Sequence, residues 1–237
     1  MRTMQRIPIL LLQWLTDPGD GQEAAMAFAE FAAKFEVSHI DIGAVNGGKS
    51  EVRHALLEWA KNNVDCQCVY IGCHGFSDRL GPSDSFPTDE VGITYRELWQ
   101  WLQEAHKLHR KACRTHRIRQ CEMAIGQRLE AWEGRMDVWF GACQSTAAKD
   151  CWSDLSEQTK PWPVQSIIGF EDKPKPAQVS AFLRMLMSHQ LFYPIVWSDQ
   201  SWQLLMEELP DNLPAIFELD ETEEPARWVR PYGILSS

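Results

Sequence analysis

The chain has 237 residues, enough for one sizeable α/β domain, and an apolar fraction of 44% with no long polar run excludes a disordered chain. A formal net charge of −10 excludes the broad basic face that direct nucleic-acid binding needs. Seven cysteines in no paired spacing argue against a disulfide framework and for a reduced, cytoplasmic setting.

Arg2 and Arg6 precede the apolar run IPILLLQWL. The run lacks the small-residue cleavage site of a signal peptide and is far too short to span a bilayer. It reads as a buried first strand, Ile9 to Leu15, and no membrane partner is expected. Asp17-Pro18-Gly19-Asp20-Gly21 is a turn. Ala25, Phe28, Ala29 and Ala32 recur at helical spacing and predict a first helix from Gln22 to Phe35. His39 to Val45 alternates toward a second strand. Asn46-Gly47-Gly48 turns, and Glu51 to Asn62 is a second helix with Val52, Ala55, Leu56 and Trp59 on one face. Cys66 to Cys73 is a third strand. Strand-helix-strand-helix-strand with short turns predicts an α/β fold: a mostly parallel sheet with helices on both faces.

Ser77 to Glu90 is rich in Gly, Pro and Asp and reads as a loop. Thr94 and Glu97 form a capping box for a helix from Tyr95 to about Cys113, continuing with a break toward Trp132. Asp137 to Gly141 is a fourth strand, Ala147 to Gln158 a helix and Val164 to Phe170 a fifth strand. Gln178 to His189 is a helix, Leu191 to Trp197 a sixth strand and Ser201 to Leu209 a last helix. One domain covers residues 1–210. The acidic, Pro-broken tail, 211–237, with one apolar piece from Ala215 to Leu219, packs on that domain or extends it. Eleven tryptophans are unusual, and those expected in loops, Trp152, Trp162 and Trp228, would line a groove or a partner surface.

Two stretches share one build. CVYIGCHGF, Cys68 to Phe76, is an apolar strand delivering His74 and then Gly75. DVWFGACQST, Asp137 to Thr146, is an apolar strand running through Gly141 and Ala142 into Cys143, followed by the helix-start residues Ser145 and Thr146. Open α/β sheets keep their sites at the carboxyl ends of the strands. If the two strands are parallel neighbours, His74 and Cys143 stand side by side as a base and a cysteine nucleophile. The amides of a helix following Cys143 would favour its thiolate. The amides of Gly75 and Cys143 would form an oxyanion hole.

Strand-His74-Gly75, then GITYRELWQWL, then strand-Gly-Ala-Cys143-Gln-Ser resembles the caspase-like cysteine peptidases, and within them the bacterial CHAT-type branch related to separase. The resemblance runs from the first strand to about His189. It implies a caspase-like, mostly parallel six-stranded sheet and an endopeptidase that cuts a protein partner after a chosen residue (P1), often within a defence or regulatory assembly and under an activating partner. No metal or organic cofactor is implied. Two departures stand out: Gly141 lies where several branches carry a pocket-lining acid or Gln, and Cys73 directly precedes His74. In such peptidases the P1 pocket lies between the loop after the first strand and the loop after the strand that follows the nucleophile. Those loops here hold Asp17 and Asp20, and Glu171 and Asp172. Carboxylates there would select a basic P1 residue by charge pairing, with Asp172 the best single candidate.

Two other stretches carry chemistry of their own. Gly43 to Ser50, GAVNGGKS, matches the phosphate-binding P-loop pattern between a predicted strand and helix, so Gly48, Lys49 and Ser50 form an alternative nucleotide site. No convincing apolar strand ending in a metal-holding Asp follows it, and a Gly turn with Ser50 capping the helix explains the same residues. A non-catalytic caspase-like adaptor is the other alternative. His106, His109, Cys113 and His116 lie along one side of a helix, but one helix seldom closes a metal site, and six Lys and Arg surround them. That helix reads as a basic, solvated face.

Overall fold

The computed structural model describes residues 7–17, 19, 21–33, 35–62, 68–119, 136–145, 149–158, 163–170, 173–188, 214–218 and 227–229. In chain order its elements are β1 (Ile7–Gln13), α1 (Gln22–Glu30), β2 (Phe35–Asp41), α2 (Lys49–Asn62), β3 (Cys68–Gly72), β4 (His74–Gly75), β5 (Arg79–Gly81), β6 (Ile93–Thr94), α3 (Tyr95–Arg119), β7 (Met136–Phe140), α4 (Lys149–Gln158), β8 (Val164–Phe170), α5 (Pro176–Ser188), β9 (Pro214–Glu218) and β10 (Arg227–Val229).

β2, β1, β3, β7 and β8 lie side by side and all pair in parallel. The apolar runs of the inner strands β1 and β3 are nearly continuous because both faces of the sheet are covered, whereas the edge strand β2, FEVSHID, is partly exposed. Strand alternation divides each run between two cores. Leu10, Leu12, Val69, Ile71, Val138 and Phe140 face one core, closed by α2, α3 and α4 through Leu56, Trp59, Leu98, Trp99, Leu102 and Trp152. Ile9, Leu11, Cys68, Tyr70, Trp139 and Ile168 face the other, closed by α1 and α5 through Ala27, Phe28, Phe182 and Leu183. The α/β architecture with helices on both faces is therefore as expected.

The strand count differs. The sheet has seven strands among the described residues, in the order β10-β9-β8-β7-β3-β1-β2, and β9 and β10 run antiparallel. Both extra strands come from the acidic tail, whose short apolar piece satisfies the backbone edge of β8. The strand expected at 191–197, the helix at 201–209 and the connector residues Pro161 and Trp162 lie outside the described residues.

Smaller corrections have local causes. α1 ends at Glu30 because the next amides bond back three residues, Phe31 N–H to the Phe28 carbonyl and Ala32 N–H to that of Ala29, both at 3.2 Å. Phe35, expected to close that helix, opens β2 and is buried opposite Ile7. Gly43 to Val45, expected to end β2, is a single 3-10 turn. The capping box holds: Thr94 N–H reaches Glu97 Oε2 at 2.9 Å, and Glu97 N–H reaches Thr94 Oγ1 at 3.2 Å. Trp152 is not a loop residue. It is fully buried in α4, with ring centroids 5.0 Å from Tyr95 and 6.1 Å from both Trp99 and Phe140. α3 is not solvated at His106 and His109, which are only 4% and 2% exposed. Lys107 and Lys111 carry its outward charge. Among the described residues no helix is long and apolar enough to cross a membrane.

Candidate active site

β3 and β7 are hydrogen-bonded neighbours in register from Cys68 opposite Asp137 to Ile71 opposite Phe140. The ladder closes with Gly141 N–H donating to the Ile71 carbonyl at 3.0 Å. Beyond it both chains leave at the same edge of the sheet. One passes through Cys73 to His74 and Gly75. The other passes through Ala142 to Cys143. They meet there: a Cβ at Gly75 would overlap the carbonyl oxygen of Cys143 and stand 3.1 Å from the Ala142 Cβ. His74 and Cys143 are both half-buried, so each is packed in place yet reachable. The two strand ends expected side by side thus meet at one edge of the sheet.

Gly141 has a physical reason. A Cβ there would overlap the phenol oxygen of Tyr70, which lies buried beneath the start of the cysteine turn. The room that a pocket-lining side chain would need is filled by a tyrosine from the neighbouring strand.

Cys143 sits in a tight turn, and no helix begins at it. Gln144 takes a left-handed φ of 53°, a conformation that costs about 1–2 kcal/mol for a residue with a Cβ. The helix expected to follow Cys143 is described from Lys149, as α4, and residues 146–148 lie outside the described residues. Ser145 holds the turn. Its buried hydroxyl donates to the Ala142 carbonyl at 2.9 Å and accepts the Phe170 N–H at 3.2 Å, tying the turn to the end of β8. The Ser145 carbonyl accepts Trp152 Nε1–H at 3.1 Å, tying the turn to α4. Ser145, expected to start a helix, lies in the turn. A Ser two residues after a Cys carries no distance information, and the residues it joins are far apart in the chain.

The His74 side is held by a small second sheet, β4-β5-β6, whose middle strand β5 falls within the stretch 77–90 that reads in sequence as a polar loop. His74 pairs with Gly81 and Gly75 with Leu80. Phe76 N–H donates to the Arg79 carbonyl at 2.9 Å. Antiparallel alternation therefore turns the Gly75 amide to the other edge of the hairpin, as an oxyanion donor needs. Tyr95 Oη donates to the Phe76 carbonyl at 2.8 Å, fixing the hairpin to α3. Burial pushes the Tyr95 phenol far above its usual range, so it stays a donor. Burial, and next the proximity of Cys143, push the Cys73 thiol up as well. Cys68, Cys73, Cys143 and Cys151 form no disulfide.

Asp17, of the expected P1 pocket, is exposed and accepts the Gly19 N–H at 2.8 Å in a local turn. Asp20, Glu171 and Asp172 lie outside the described residues. The alternative nucleotide site is engaged by the chain's own groups. Lys49 Nζ contacts Glu97 Oε1 at 3.1 Å and the Asp89 carbonyl at 2.9 Å. Gly48 N–H and Ser50 Oγ both donate to Glu51 Oε2 at 2.8 Å. The groups that would cradle a phosphate thus already face carboxylates, as in a helix cap. Among the described residues no three His, Cys, Asp or Glu side chains are placed to hold a metal.

No protein-family model matches the chain, and no curated protein matches it. Among solved structures, the crystal structure of protein GSU0716 from Geobacter sulfurreducens is similar at 14% sequence identity, covering 95% of this chain and 100% of that one, with a TM-score of 0.45.

Proposed function

We propose that the protein is a caspase-like cysteine endopeptidase acting on a protein partner through His74 and Cys143, within a bacterial defence or regulatory system. One observation carries the reading. Parallel pairing of β3 and β7 brings the His-Gly step and the cysteine turn into contact at the carboxyl edge of the sheet, with Gly75 seated against the Cys143 carbonyl. The mostly parallel sheet covered by helices on both faces is compatible with it.

In this mechanism His74 takes the Cys143 proton, and the sulfur attacks the scissile carbonyl carbon. The carbonyl oxygen becomes an oxyanion held by the Gly75 and Cys143 amides. As the intermediate collapses the C–N bond breaks, His74 passes its proton to the leaving amine, and a thioester remains on Cys143. Water activated by His74 then adds to the thioester, the S–C bond breaks, and the acid is released with the thiol restored. Every proton is carried by His74 or water. Asp172, Glu171 and Asp17 give the proposed preference for Arg or Lys at P1.

The test is covalent labelling with peptidyl acyloxymethyl ketones bearing Arg, Lys, Leu or Asp at P1, read by intact mass. The expected result is one label on the wild type, fastest with Arg or Lys, and none on Cys143→Ala. Labelling of His74→Ala is expected to be slower. Absence of labelling with every probe, or labelling that persists in Cys143→Ala, overturns the reading and leaves the non-catalytic adaptor in its place.

A further inference from the structure

We propose that Phe86, backed by Phe76, forms an apolar subsite for the leaving half of the substrate, receiving an aliphatic or aromatic side chain within the first three or so residues after the scissile bond. The proposal rests on the peptidase reading and adds a substrate preference to it.

The chemistry divides the substrate. Cys143 keeps the acyl half, and His74 hands its proton to the leaving amine, so the leaving half runs over the element that carries His74. That element continues as the β4–β5 hairpin, and Phe76 directly follows Gly75. The Phe86 ring lies 5.3 Å from that of Phe76, edge-on at 72°. Phe76 Cα is about 3.8 Å from Gly75 Cα and extended peptide advances about 3.4 Å per residue, so a ring packed on Phe76 is within reach of the first few residues after the cut.

Phe86 is 61% exposed, and a lone exposed apolar residue is ordinary. Its support is not. The Arg79 guanidinium stacks over the Phe86 ring 5.0 Å from its centroid, although Arg79 itself is only 13% exposed. Asp78, Asp89 and the Pro87 carbonyl hold that guanidinium from three directions. The loop that carries Phe86 is pinned at both ends. Thr16 N–H and Oγ1 both donate to the Pro82 carbonyl, at 2.8 and 3.1 Å, and Lys49 Nζ donates to the Asp89 carbonyl at 2.9 Å. An outward aromatic fixed in one place before its ligand arrives has little entropy to lose on binding, which is how binding hot spots are built.

Cleavage of a proteome-derived peptide library, with sites read by mass spectrometry, is expected to show apolar residues enriched among the first three positions of the leaving half. A matched pair of internally quenched peptides, differing only by Leu or Ser at the enriched position, then gives a ratio of kcat/KM. The ratio is expected to favour Leu about tenfold or more in the wild type, to approach one in Phe86→Ser, and to persist in Phe86→Trp. Thermal melts verify that both variants fold. A ratio unchanged in Phe86→Ser, or a library without apolar enrichment, overturns the subsite. Ketone labelling has no peptide leaving half, so it tests the dyad separately. Wild-type labelling lost in Cys143→Ala, beside an unchanged ratio, removes the subsite alone. Neither labelling nor cleavage removes the peptidase reading and the subsite with it.

Discussion

Replacing Gly75 with Ala tests the contact on which the site depends. Gly75 does not take a left-handed φ, so backbone strain plays no part in the outcome. The obstacle is space: the added Cβ would fall on the Cys143 carbonyl oxygen and crowd the Ala142 Cβ. Neither obstacle is the end of a flexible side chain. Restoring van der Waals contact requires the hairpin and the cysteine turn to part by more than about 1 Å. Overpacking of this kind costs roughly 1–3 kcal/mol, or a melting temperature lower by several degrees in a chain of this size. A displacement of about 1 Å between reacting groups slows chemistry by about a hundredfold. The assay is the second-order rate of ketone labelling beside a thermal melt, with Gly48→Ala as the control. A Cβ at Gly48 meets nothing closer than Glu51 Oε2 at 3.5 Å, so that variant is expected to melt and label like the wild type. A Gly75→Ala protein that labels within about threefold of the wild type and melts unchanged would show that the two strand ends are not in contact.

Three further outcomes follow from the same geometry. Ser145→Ala leaves the Ala142 carbonyl and the Phe170 amide without the hydroxyl that joins them, a loss of about 1–3 kcal/mol in urea unfolding together with slower labelling. Lys49→Ala leaves Cys143 labelling unchanged, gives no loss of a Mg-ATP thermal shift, and costs about 1 kcal/mol because both partners of its ion pair are half-buried and still reached by solvent. It also flattens the acid limb of stability. Burial opposes ionisation of Glu97, but the Thr94 amide, Lys49 and the Thr94 hydroxyl outweigh it and hold the carboxyl below the ordinary carboxylate range. A lowered carboxylate stabilises the fold fully above its unfolded value and loses that contribution as pH falls through its folded value, so urea titrations should show the wild type above Lys49→Ala near neutral pH and the two converging as acid protonates Glu97. Brief iodoacetamide treatment of the native protein should modify Cys143 and spare Cys73, whose buried thiol stays protonated. Equal modification of both would refute the burial of Cys73.

The strands that build the site were legible because they are short apolar runs ending in residues of unlike chemistry. Val164 to Phe170 matched its expected bounds, and β3 and β7 matched within two residues at either end. The Ala-rich stretch after Gly21 misled because alanine carries no stop signal; the helix ends where the Phe31 and Ala32 amides bond back three residues and Phe35 is buried, at the start of β2, in the same core as α1. The two- and three-residue strands β4, β5 and β6 leave too few positions for alternation to be seen. The antiparallel strands of the tail were hidden for another reason. Their pairing with β8 is a long-range choice that an isolated apolar pentapeptide does not announce.

The sequence alone determined the local chemistry: which residues could be a nucleophile and a base, that each follows an apolar strand, and that a capping box starts α3. Periodicity and residue type act within a few positions, and they suffice for that. Tertiary structure decided which strands are neighbours, and with that the meeting of Gly75 with Cys143. It also decided that Ser145 clamps the turn, that Lys49 faces Glu97, and that Phe86 rests on Arg79. Each of these joins residues whose separation along the chain says nothing of their distance in space, because the closing of long loops is governed by the packing of both cores and not by any local signal.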